Sequence, residues 1–129
     1  MNEKEFKDRT KKIALRIIKL VESLPETTTS NIIGKQLLRS ATSVGANYRA
    51  ACRGKSVADV IHKYSIVEEE ADESLYWFEL LIESNIVPEK KLSELQREMN
   101  EITAMIVSSI KTLRSKQLPI QNPKSKIQN

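Results

Sequence analysis

The chain has 129 residues, 40% apolar and 29% charged, with a formal net charge of +4 and a single cysteine. That is enough chain to bury one core without staples, and a lone cysteine excludes an internal disulfide and favours a reducing compartment. No apolar run reaches signal-peptide or membrane-spanning length, so a soluble cytoplasmic protein with no membrane contact is expected.

Three glycines and four prolines favour long helices over a loop-rich β fold. The first helix is predicted over residues 4–24, with Phe6, Ile13, Ile17, Leu20, Val21 and Leu24 on one stripe and Pro25 as its stop. Thr27, Thr28, Thr29 and Ser30 offer N-cap hydroxyls for a second helix that runs to Arg53, where Gly54 closes it by taking positive φ. Ser56 and Asp59 read as a capping box opening a third helix over residues 57–84, with Asn85 as its C-terminal cap. Pro88 suits the first turn of a fourth helix carrying Leu92, Leu95, Met99, Ile102, Ile106, Ile110 and Leu113. Pro119 is expected to stop it, leaving a bundle over 1–118 and a disordered polar tail over 119–129. Short connections force neighbouring helices to run antiparallel, so the expected fold is an all-α, up-down-up-down four-helix bundle.

The second helix has three kinds of face beside its core stripe of Ile33, Leu37, Val44, Tyr48 and Ala51. Gly34, Ala41, Gly45 and Cys52 form a line of small residues. Glycine inside a helix costs about 1 kcal/mol relative to alanine, so close approach of another backbone is expected there. Gln36, Ser40, Ser43 and Asn47 form a polar ladder, bonded either to carbonyls of their own helix or into a network. The outward face is basic, with Lys35, Arg39, Arg49 and Arg53 around Ala46 and Ala50.

On the third helix the expected core stripe is Val57, Val60, Ile61, Tyr64, Ala71, Leu75, Phe78 and Ile82. Glu68 falls within it and should find an arginine or the Ser/Asn ladder, because a lone desolvated carboxylate is costly. The opposite side carries Ile66, Trp77 and Leu80 among Glu69, Glu70, Glu73 and His62. An aromatic patch in an acidic frame suits a subunit contact, with the basic face of the second helix as its other half. The expected oligomer interface is therefore Arg39, Ala46, Ala50, Arg53, Ile66, Glu69, Glu73, Trp77 and Leu80. The expected polar network is Gln36, Ser40, Ser43, Asn47 and Glu68.

Catalytic spacing is absent. A single histidine removes histidine-based general-base pairs and multi-histidine metal sites, and the acidic run at 68–73 lacks the Glu-x-x-His pairs of bundle metal centres. No phosphate-binding glycine loop occurs, and no cofactor or metal is expected.

The stretch Gln36-Leu37-Leu38-Arg39-Ser40, followed by Ser43-Val44, Asn47, Arg53, Ser56 and the Glu-rich run into Ser74-Leu75-Tyr76-Trp77, resembles the 23S rRNA intervening-sequence protein family. With Leu24-Pro25 the resemblance covers residues 6–113. It implies an elongated bundle that forms homopentameric rings. It also implies kinship with the accessory protein of diversity-generating retroelements, which binds nucleic acid and a reverse transcriptase. Many members carry a Glu-Gly pair where this chain has Arg49, Ala50 and Ala51, so no role of that glutamate transfers.

The function expected is that of a non-enzymatic homo-oligomer binding RNA, DNA or a nucleic-acid-handling protein. Lys11, Lys12, Arg16, Lys90, Lys91, Arg97, Lys111 and Arg114 are the candidate phosphate contacts. The alternative is a protein-interaction scaffold with no nucleic-acid role.

Overall fold

The computed structural model describes residues 2–127, with side chains described through Gln117. Four helices make up the fold: α1 (Glu3–Glu22), α2 (Thr28–Ala51), α3 (Val57–Glu83) and α4 (Glu89–Ile127). Each helix packs on the next in chain order, and α4 returns to pack on α1. Side-chain contacts fix the directions. Phe6, early in α1, stacks on Tyr48, late in α2, with ring centroids 4.1 Å apart. Tyr48 in turn stacks at 5.9 Å on Tyr64, early in α3. Along α4, Arg9 reaches Glu98 and Glu101 while Arg16 reaches back to Glu94. Every neighbour is antiparallel.

The caps explain the boundaries. Asn2 and Glu5 close a reciprocal capping box on α1. Thr27 accepts the Ser30 N–H at the start of α2, and Ser56 accepts the Asp59 N–H at the start of α3. The expected reciprocal box at Ser56 is replaced by a wider one, in which Asp59 Oδ2 accepts the Lys55 N–H at 3.2 Å. At the far end of α3, Asn85 takes φ 61°. Its N–H donates to Ile82 O and that of Ile86 to Leu81 O, both at 3.0 Å, which closes a Schellman motif. Pro88 directly precedes α4, and its carbonyl accepts the Lys91 N–H.

Gly54 corrects the sequence reading, because no glycine has positive φ among the described residues. Its role is spatial. A Cβ there would stand 2.5 Å from Val60 Cγ2 and 3.1 Å from Ala51 O. The α4 backbone is helical to Ile127, past the stop expected at Pro119. A proline removes one N–H bond and crowds the carbonyl four residues earlier, which penalises a helix without forbidding it. The side chains of the expected tail, 119–129, lie outside the described ones.

The core draws on all four helices, with Ile17, Leu37, Val67, Phe78, Leu81, Leu92, Met99 and Ile102 sealed from solvent. On α3 the buried stripe is Ile61, Val67, Ala71, Ser74, Phe78 and Leu81. It is rotated from the expected one, since Val57 is exposed and Leu75 and Ile82 are half-buried. Apolar side chains occupy so wide an arc of α3 that periodicity alone does not centre it. Its packing on both α2 and α4 does.

Candidate functional site

The small-residue line of α2 faces α1. At Gly45 an added Cβ would meet Thr10 Oγ1 at 3.1 Å and the Thr10 carbonyl carbon at 3.8 Å, so the backbones approach closely here. At Gly34 the neighbours are the side chains of Leu24 and Val21. Thr10, missed by the apolar stripe, is buried and donates to Phe6 O and Lys7 O. A threonine that satisfies its hydroxyl on its own helix can sit against a glycine without an orphaned polar atom.

The polar ladder divides. Ser40 is fully buried, with its Oγ 3.2 Å from Leu37 O and 2.9 Å from Ser74 Oγ across the α2–α3 seam. Ser74 also donates to Glu70 O. Asn47 donates to Ser43 O of its own helix at 2.9 Å, and Gln36 and Ser43 are half-buried. Ser74 is therefore the cross-helix partner that the sequence reading lacked. Glu68 corrects that reading: it lies on the α3–α4 side with Ser65, Asp72 and Thr103, away from the ladder and from the α2 arginines.

Arg39 does not wait for another subunit. Its guanidinium holds Glu70 at 3.2 Å and Glu73 at 2.5 Å within the same chain. Glu73 also accepts the Trp77 indole N–H at 3.0 Å. Trp77 and Leu80 are half-buried against the core, so the outward patch expected around them is smaller than the sequence suggests. Ile66 and Ala50 are half-buried as well, whereas Ala46, Arg53 and Glu69 are exposed. Among the described residues, the large apolar side chains that do face solvent are Leu15 and Ile18 on α1, Ile32 on α2, and Val57 and Tyr76 on α3, with Leu15, Ile32 and Tyr76 more than half exposed. Periodicity had placed Val57 in the core stripe of α3 and had singled out none of the other four.

The Arg39 guanidinium, and after it the Trp77 indole, hold the Glu73 carboxyl below its ordinary range. A depressed folded-state pKa means stabilisation present above the unfolded value and lost as pH falls through the folded one. Acid titration followed by Trp77 fluorescence is therefore expected to show a midpoint below the ordinary carboxylate range, raised in Arg39→Ala. An identical midpoint in both proteins would contradict the linkage.

Of the candidate phosphate contacts, Arg16 is held by Glu94 at 2.8 Å and Arg97 lies 3.9 Å from the same carboxylate. Lys11 and Lys12 on α1 and Lys90, Lys91, Lys111 and Arg114 on α4 are exposed and carry no ion pair among the described residues. Burial pushes the Cys52 thiol up, away from the reactive thiolate. Among the described residues no three His, Cys, Asp or Glu side chains gather as a metal site, and no helix is long and apolar enough to cross a membrane.

The geometry has a relative. A crystal structure of a protein of unknown function from the S23 ribosomal protein family of Bacteroides thetaiotaomicron is similar to this chain, with a TM-score of 0.80 and 36% identity. The match covers 86% of this chain and 99% of that one. No curated protein matches by sequence. The family model described as 23S rRNA-intervening sequence protein matches residues 2–108, which includes α1, α2, α3 and the first half of α4. The chain belongs to the 23S rRNA-intervening sequence protein family.

Proposed function

We propose that the protein is a non-enzymatic, cytoplasmic homo-oligomer that binds RNA or DNA through phosphate contacts, and that its ring is pentameric, as the family resemblance implies. The observation that carries the nucleic-acid reading is that Lys11, Lys12, Lys90, Lys91, Lys111 and Arg114 are exposed and have no carboxylate partner among the described residues. A solvated lysine released toward phosphate displaces condensed counterions, so affinity falls with salt and sequence matters little. Self-association draws on the solvent-facing Leu15, Ile18, Ile32 and Tyr76.

Filter binding of a mixed-sequence RNA or DNA is the test. Four phosphate contacts predict a loss of about a hundredfold between 50 and 200 mM salt. Lys90→Ala/Lys91→Ala should lower the salt slope by roughly 2, with no change in sequence preference. No retention at low salt would eliminate the nucleic-acid reading.

The second reading, a protein-interaction scaffold, draws on the arginines. Arginine's planar fork suits phosphate best, and three of these side chains, Arg9, Arg16 and Arg39, are bound to carboxylates of the same chain instead.

A further inference from the structure

The outer side of α3 carries a stripe at helical spacing: Glu69, Asp72, Tyr76, Glu79 and Glu83, all exposed. None of its four carboxylates is in an ion pair among the described residues, whereas Glu70 and Glu73, one turn around the helix, are both taken by Arg39. Tyr76, at the centre, is 52% exposed and meets Trp77 edge-on at 5.1 Å. The helix thus keeps one set of acids for itself and leaves the other set open around an aromatic ring.

Across the molecule, α1 and α2 enclose a groove whose floor is Thr10, Ala14, Gly45 and Ala46. Its walls include Lys7, Lys11 and Arg49, with Asp8 as the one acid. Lys7 is bound by Glu3 and Asp8 by Lys4, which leaves Lys11 and Arg49 as the open charges. The exposed Leu15 lies one turn beyond Lys11, and Ile18 one turn beyond Ala14, so an apolar margin continues the groove along α1. A floor of small side chains admits a third helix at short distance, and the rim is opposite in sign to the α3 stripe.

We propose that the Tyr76 stripe of α3 docks in the α1–α2 groove of a second copy of this chain. This rests on the homo-oligomer reading above and names its two surfaces. They are different patches at different places on one molecule, so the contact is heterologous and propagates head to tail until it closes. Open charges meet open charges: Arg49 and Lys11 face the carboxylates of Glu69, Asp72 and Glu79, while Leu15 and Ile18 cover the tyrosine; Lys11 then serves the subunit contact and leaves phosphate to Lys12, Lys90, Lys91, Lys111 and Arg114.

Charge exchange tests the pairing, read by sedimentation equilibrium on the full chain with helicity checked by circular dichroism. Arg49→Glu and Asp72→Arg, both at exposed positions, should each weaken association by about tenfold or more. The double variant restores opposite signs between positions 49 and 72 and should recover part of that loss. A wild type that stays monomeric would overturn this pairing together with the homo-oligomer reading. An assembled wild type whose single variants keep the same mass, or whose double variant does not recover, would overturn the pairing alone. Loss of RNA retention in Arg49→Glu with unchanged mass would assign the groove to nucleic acid instead.

Discussion

Phe78→Ala is expected to cost about 3 to 5 kcal/mol, because a sealed aromatic side chain is removed from a core that cannot fully collapse onto the gap. Phe78 has no solvent exposure and lies on the α3 stripe that packs against both α2 and α4. The cavity would therefore be lined from several directions, and rotation of one helix cannot fill it. Such a loss is a large part of the roughly 5 to 15 kcal/mol that holds a domain folded. Thermal unfolding should shift down by about 10 to 20 °C. Asn100→Ala, on the exposed side of α4, should stay within about 0.5 kcal/mol of wild type. Equal shifts for the two would contradict the placement of the core.

Gly54→Ala is the second large effect, and it separates two explanations of one residue. If the position needed positive φ, asparagine would be the tolerated substitute. With ordinary φ and Val60 Cγ2 at 2.5 Å from an added Cβ, space is what the turn lacks. A β-branched valine side chain on the first turn of α3 has little freedom to swing away, and the Ala51 carbonyl closes the other side. We expect Gly54→Ala to cost about 1 to 3 kcal/mol in urea unfolding, with Gly54→Asn worse. Val60→Ala in the Gly54→Ala background should return part of the loss. Asparagine tolerated better than alanine would reinstate the conformational explanation.

The four helices, their antiparallel order and most caps were legible because amphipathic period, Thr27, Ser56 and Asn85 are local signals. The α4 core positions were legible for the same reason: one clean stripe from Leu92 to Ile110 leaves no choice of phase. On α3 the phase was lost, since Val57, Tyr64 and Leu75 are as apolar as Val67 and Leu81. Ser74 also counts as polar until Ser40 is known to face it. The expected interface suffered from a similar gap. Arg39, Glu73 and Trp77 look like an outward set on two separate wheels, and only the α2–α3 packing joins them into one intramolecular chain. Conversely, Leu15, Ile18 and Tyr76 are unremarkable on a wheel and become informative once their exposure is known. The cations of α1 and α4 were found in sequence, but that Arg16 and Arg97 share Glu94 required three dimensions.

The proposed assembly has a plain physical basis: solvent-facing apolar side chains lie beside charges that have no partner among the described residues, and a sister molecule would cover both. Multi-angle light scattering across a concentration series measures that directly. The account predicts a particle several times the 14.7 kDa chain, five times if the ring is pentameric. A particle that stays at 14.7 kDa up to the highest concentration reached would contradict it.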